Sequence, residues 1–279
     1  MTDDLHIRPL APQEIQLAVD WAAREGWNSG LGDAACFATV DPEGFLVAEL
    51  NGEPAAVISV VNYDAHFAFL GFYIVRPDVR GQGIGWKLWQ AGIAHAGTRT
   101  VGLDGVLAQQ ANYASQGFKP SHRNIRFKGR PGAGERGQCV DIGSVPFAWI
   151  EASDARVYPA PRADFLQHWI EAPGHAGRAL LREGRLAGWG VVRPALDGWK
   201  IAPLVAEDAT AADAVFMALC AAAGEGDIYL DMPEPNGAAM DLAARHGLTP
   251  VFETARMYTG PIRPVELGNV YAITSLELG

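Results

Sequence analysis

The run Phe72-Tyr73-Ile74-Val75-Arg76-Pro77-Asp78-Val79-Arg80-Gly81-Gln82-Gly83-Ile84-Gly85 decides how this chain is read. An apolar strand, 66–75, enters a turn with three glycines in six residues, and a helix follows over about 84–96. Such a turn brings several backbone N–H groups to face one point. The helix opening there adds its positive end, so the turn suits an anion such as a pyrophosphate. Two better-known phosphate loops fail here. A P-loop needs Gly-Lys-Ser/Thr, but Trp86 follows Gly85. The dinucleotide fingerprint needs its third glycine at position 86, and no βαβ unit opens the chain. A plain strand-to-helix turn would ordinarily use one glycine rather than three.

Upstream, Ile15, Ala18, Val19 and Ala22 recur at helical spacing within 12–26. Segments 45–50 and 54–63 flank Asn51-Gly52, the signal of a hairpin. Downstream, 101–106 reads as a short strand, about 109–116 as a helix and 121–129 as a closing strand. The result is a mixed α/β layer with long crossovers, hence a partly parallel sheet flanked by helices. After a Gly/Pro break at 130–137 the pattern returns at an offset of about 130 residues. The hairpin turn at Gly52 recurs at Gly184, Gly117-Phe118-Lys119-Pro120 recurs as Gly247-Leu248-Thr249-Pro250, and Arg126 falls in register with Arg256. Two tandem copies of one α/β domain are expected, 1–135 and 136–279.

Composition narrows the function. The 279 residues are 49% hydrophobic and 19% charged, so both copies can build cores. The net charge of −10 argues against a phosphate-coating nucleic-acid binder. No apolar run spans a membrane, and the acidic start MTDDLHIRPL lacks a signal core, so a cytoplasmic protein is expected. Cys36, Cys139 and Cys220 are odd in number and far apart, which fits a reducing compartment. No HExxH, CxxC or GxSxG occurs, so neither a metal nor a serine nucleophile is expected.

Arg80-x-x-Gly83-x-Gly85 after an apolar strand resembles the acyl-CoA pyrophosphate loop of the GNAT superfamily of N-acetyltransferases. Asn112-Tyr113-Ala114-Ser115-Gln116-Gly117-Phe118 resembles that family's late helix, and the order of elements over 5–130 agrees. The whole chain resembles a bacterial subfamily with a second GNAT-like domain, through LDGVLAQQANYASQGF, FETARMYTG and the final SLELG. The resemblance implies an acetyl-CoA-dependent transfer to a primary amine by direct attack on the thioester. It implies that the backbone of Tyr73, Ile74 and Val75 holds the pantetheine arm. Arg80, Gly81, Gln82, Gly83, Ile84 and Gly85 would wrap the pyrophosphate, Lys87 adding charge, and Tyr113 would protonate the leaving thiolate as general acid.

Some members of that family carry a glutamate on the central strand, but 66–75 holds no carboxylate. Deprotonation then falls to a water chain or to a nearby group such as Asp64, His66 or Asp104, with Asp104 read as a turn-former in Leu-Asp-Gly. Substrate contacts are expected from the irregular stretch with Trp27, Asn28 and Asp33, Asp33 facing an ammonium. Trp86 and Trp89 read as helix packing. In the second copy, Ala-Glu-Asp-Ala-Thr-Ala-Ala follows Val205 without a glycine, so this copy should be degenerate. Asp231, Glu234, Asn236, Glu253, Arg256 and Tyr258 there form either a substrate pocket facing the active half or an internal ion-pair network, the network being preferred because Arg–carboxylate pairs are usually structural. The acceptor is a small-molecule amine or a peptide amino group, with a homodimer left open. The alternative function is a non-catalytic acyl-CoA sensor or scaffold.

Overall fold

The structure, a computed structural model, describes residues 4–132 and 134–279. Met1, Thr2 and Asp3 of the acidic start, and Ala133 of the Gly/Pro break, lie outside the described residues. The first half runs β1 (Leu5–Pro9), α1 (Gln16–Arg24), α2 (Asp33–Phe37), β2 (Phe45–Leu50), β3 (Glu53–Asn62), β4 (Phe67–Val75), α3 (Ile84–Ala96), β5 (Thr100–Val106), α4 (Gln110–Ser115) and β6 (Lys119–Gly129). The second runs β7 (Val140–Asp141), α5 (Phe147–Val157), α6 (Ala163–Glu171), β8 (Ala176–Arg182), β9 (Arg185–Pro194), β10 (Trp199–Ala206), α7 (Ala209–Ala222), β11 (Ile228–Pro233), α8 (Gly237–Arg245), β12 (Thr249–Tyr258) and β13 (Val270–Ala272).

Local chemistry sets the elements that frame the site. Asn51 and Gly52 both have positive φ, the geometry a two-residue hairpin demands, and close β2 onto β3 with Leu50 opposite Glu53. Along α3, Ile84, Leu88, Trp89, Gly92 and Ala96 form one buried stripe, packed on β2, β3 and β4. No helix among the described residues is long and apolar enough to cross a membrane.

All strands join one mixed sheet in the order β1-β2-β3-β4-β5-β12-β6-β11-β10-β9-β8-β7, with β13 attached to β10. The strand read as closing the first half does not do so. β12 lies between β5 and β6, and β6 lies against β11, so the two halves exchange their last strands. Two crossed ion pairs fix that exchange. Arg126 on β6 clamps Asp231 on β11 through two bonds of 2.6 and 2.8 Å. Arg256 on β12 clamps Asp104 on β5 at 2.9 and 2.6 Å. Asp104 is therefore a strand residue holding the partner half's arginine, which corrects its reading as a turn-former. The ion-pair network expected inside the second copy is therefore not internal: Arg256 pairs with Asp104, Asp231 with Arg126, and Glu234 and Glu253 with Arg123, all across the halves.

A shared core sits between the halves. Phe37 of α2 stacks on Trp169 of α6 at 6.1 Å between ring centroids. The Arg193 guanidinium lies 4.3 Å over the same indole and donates to Asp33 at 2.7 and 3.0 Å.

Losing one partner of a buried ion pair strands the other charge, at a cost of about 3–5 kcal/mol. Asp104→Asn and Asp231→Asn should each lower unfolding free energy by that order. Both chains should unfold in one cooperative transition in urea, because no half closes its own sheet. Two separated transitions would contradict the exchange.

Candidate functional site

β4 and β5 pair in parallel only from Phe67 opposite Thr100 to Leu70 opposite Leu103, then diverge. Beyond that point β4 has no partner on its β5 side, and a cavity of about 570 Å³ opens between the strands. Tyr73, Ile74 and Val75 of β4 line one wall, and Asp104 to Val106 of β5 the other. Trp27, Trp86 and Trp89 supply aromatic surface. Phe252 and Thr254 of the exchanged β12 also border it, so the second half builds part of the cavity.

The glycine turn lies between the end of β4 and α3. Gly81 and Gly83 have φ of +80° and +79°, a conformation that glycine adopts without penalty. Gly83 sits at the helix N-cap with no side chain capping it. The N–H groups of Gly81, Gln82 and Gly83 meet no acceptor among the described residues, and Ile84 and Gly85 begin the first helical turn, whose N–H groups are open by construction. Free donors at a helix N-terminus are what a pyrophosphate needs. Arg80 lines the cavity; its Nε donates to Val75 O at 2.8 Å and its Nη2 to Glu25 at 2.7 Å. Lys87 is exposed on α3.

Tyr113 projects from α4 into the same cavity. Its ring stacks on Trp89 at 5.8 Å and meets Phe118 edge-on at 6.4 Å. Burial, with a smaller contribution from Tyr73, pushes its phenol up to about 12. The hydroxyl thus keeps its proton throughout the neutral range.

Of the three residues expected to meet a substrate, only Trp27 reaches the cavity. Asn28 instead ties this stretch to the β9–β10 turn, accepting from Asp197 N at 2.9 Å and donating to Asp197 O at 3.0 Å. Asp33 is buried, with Arg193 and the Gly30 N–H occupying its carboxylate. It faces the other half and has no free oxygen for an ammonium. Trp86 and Trp89 line the cavity as well as packing α3, a role their helical spacing did not announce.

The sequence reading also missed the chain's final segment. Leu276 and Glu277 border the cavity, and a side chain at Gly71 would run into the backbone of Glu277. Only glycine allows this segment to approach β4 so closely. The available signal was the presence of one carboxylate in the otherwise apolar Leu276-Glu277-Leu278.

The second half repeats the splay but not the cavity. β10 and β11 pair only at Trp199–Ile228 and Lys200–Tyr229. β13 then pairs with β10, and Ile273 N donates to Asp231 O at 2.9 Å, so the chain itself fills the gap. At the head of α7, Asp208 caps Ala211 N at 2.8 Å, using an acid where the first half leaves glycine N–H groups open. Among the described residues, no group of three or more His, Cys, Asp or Glu is placed to hold a metal.

Comparison with known proteins agrees with this geometry. The model of the acetyltransferase (GNAT) family matches residues 13–118, and that of the acetyltransferase (GNAT) domain matches 150–272. Holothin acyltransferase of Pseudoalteromonas sp. (strain SANK 73390) is 32% identical over 280 residues, covering 98% of this chain and 94% of that protein. Among solved structures, a Pyrococcus horikoshii protein provisionally described as an acetyltransferase superposes with a TM-score of 0.83. It is 21% identical, with 99% of this chain and 96% of that one covered. A tandem GNAT protein from the clavulanic acid biosynthesis pathway gives 0.63 at 16% identity, covering 92% and 99%. At those identities the two structures speak for the fold.

Burial of Tyr113 has a measurable consequence. In a spectroscopic alkaline titration, the difference between the native chain and Tyr113→Phe should isolate a phenol ionising near 12 instead of 10. A difference curve centred near 10 would mean that the ring is solvated.

Proposed function

This chain belongs to the GNAT family of acyltransferases, and we propose that it is an acetyl-CoA-dependent N-acetyltransferase whose active site lies in the first half. One observation carries the reading: a single cavity joins the open β4 edge, which leads into the glycine turn, to the half-buried phenol of Tyr113. The N–H groups of Gly81 to Gly85, with Arg80 at the side, receive the pyrophosphate. The edge of Tyr73, Ile74 and Val75 takes the pantetheine arm and aims the thioester carbonyl at the floor of the splay. A neutral primary amine attacks that carbon, the C–S bond breaks, and Tyr113 gives its proton to the departing thiolate.

The acceptor is a primary amine on a small molecule or peptide. The relative's name makes holothin the first acceptor to test. Residues 1–135 act as the catalytic half and 136–279 as a degenerate GNAT-like half that contributes the β12 wall. The free thiols of Cys36, Cys139 and Cys220 suit a reducing, cytoplasmic setting.

Calorimetric titration with acetyl-CoA should give one site per chain. Gly83→Val, which forces a branched side chain into a left-handed position, should abolish binding. Tyr113→Phe should leave binding intact and slow thiol release about 100-fold with a reactive amine. Absence of acetyl-CoA binding to the native chain would overturn the assignment, and equal rates would remove the acid role of Tyr113.

A further inference from the structure

An ammonium cannot attack a thioester until it loses a proton, and β4 carries no carboxylate to take it. Of the other candidates, His66 is exposed and does not line the cavity, and Asp64 and Asp104 are already occupied. Asp64 accepts from the N–H groups of His66 and Phe67 at 2.7 and 2.8 Å and belongs to the β3–β4 turn. Asp104 is held by Arg256 and receives Asn124 Nδ2 at 2.8 Å. One residue bordering the cavity carries a carboxylate that is not engaged in this way. Glu277 is 2% exposed, and its Oε1 meets no hydrogen-bond donor among the described residues.

Building on the acetyl-transfer reading above, we propose that Glu277, delivered by the C-terminal segment against Gly71, is the general base that receives and deprotonates the acceptor's ammonium. A buried carboxylate oxygen without a donor is costly, so its partner is to be sought in whatever enters the cavity. A protonated amine is the complementary donor. Burial raises the Glu277 carboxyl above its ordinary range, making it a better proton acceptor than a solvated glutamate. Lys200 of β10 and Arg126 of β6 oppose that shift, while Asp33 of α2 and Asp231 of β11 reinforce it. Neither cation claims Glu277: Arg126 clamps Asp231 and Lys200 lies 3.4 Å from the same carboxylate.

The step balances with groups already named. The Glu277 carboxylate takes one proton from R–NH3+, leaving R–NH2 with its lone pair free. That pair forms the C–N bond as the C–S bond of acetyl-CoA breaks. Tyr113 protonates the thiolate, the second amine proton returns to the Tyr113 phenolate as the amide forms, and Glu277 releases its proton to solvent, so one proton is freed per turnover. Because 275–279 follows directly on β13, the segment that fills the second half's splay leads into the one that arms the first.

The test compares the native chain with Glu277→Gln, using acetyl-CoA and a panel of small primary amines that includes holothin. Glu277→Gln should bind acetyl-CoA within twofold of the native chain while kcat/KM at neutral pH falls about 100-fold. The gap should narrow in alkaline solution, where the free amine is already neutral. An unchanged rate and pH profile in a folded Glu277→Gln chain would overturn the base assignment. A native chain that neither binds acetyl-CoA nor transfers from it would instead overturn the reading beneath it. Should the amide side chain prevent folding, Glu277→Asp keeps the charge and withdraws it by one methylene. A loss of at least about tenfold, with acetyl-CoA binding retained, then supports the assignment, and native activity overturns it.

Discussion

The crossed pairing of Arg126 with Asp231 and of Arg256 with Asp104 is the constraint on which the rest of the molecule depends. Both arginines and both aspartates are enclosed. A buried ion pair adds little net stability over an apolar pair of the same size, because desolvation consumes most of the attraction. It does penalise every arrangement in which one partner is left alone. The two copies have similar strands in similar places, so self-closure of each half would otherwise compete with exchange. Burial alone would raise Asp231, yet Arg126 and Lys200 outweigh it and hold the carboxyl well below its usual range. A charged Asp231 needs its arginine from β6 of the opposite half, and the strand order follows.

The exchange also explains why the second half persists beside a cavity it does not house. Thr254 and Phe252 come to the cavity on β12, and β12 is where it is because Arg256 must reach Asp104. Asp33 does the same work on the other side of the core, reaching Arg193 of β9 under the Trp169 ring. The halves are thus welded through both the sheet and the helical layer. Divergence then proceeds by occupation rather than by loss of fold. The β10–β11 splay keeps its shape but receives β13, whereas the β4–β5 splay stays open and borders the segment after it.

The sequence displayed what is local and concealed what is not. Asn51-Gly52 fixed a hairpin, and 84–96 was legible as a helix to the residue, because turn chemistry and helical periodicity are properties of neighbours in the chain. The register of Arg126 with Arg256 was visible as a repeat, but not that each would reach into the other copy. Pairing partners 105 and 152 residues away leave no periodic mark. The role of Asp104 was misread for the same reason: Leu-Asp-Gly is a turn by composition, although 101–106 reads as a strand, and nothing local shows that Arg256 of β12 pairs with it. Asp33 looked like a surface acid free to meet a substrate, and burial against Arg193 reversed that. The glycine turn stood out by its composition, whereas Tyr113 was singled out only by the family resemblance of its segment.

Glu277 belongs to the concealed class, and the charges around it show how the fold can carry it. Arg126, Arg193 and Lys200 are buried near Asp33, Asp231 and Glu277, three positive groups against three negative. Arg193 is matched to Asp33, and Asp231 draws both Arg126 and Lys200. Lys200 is lowered by burial and by Arg126, and its Nζ makes no hydrogen bond among the described residues. The cluster therefore approaches neutrality as a whole while leaving one carboxylate without a dedicated donor. Complete pairing would fix Glu277 as a structural anion, and an apolar setting would keep it protonated. Balanced charge at a distance with no direct bond lies between those limits, which is the condition under which a buried carboxylate can both lose and accept a proton.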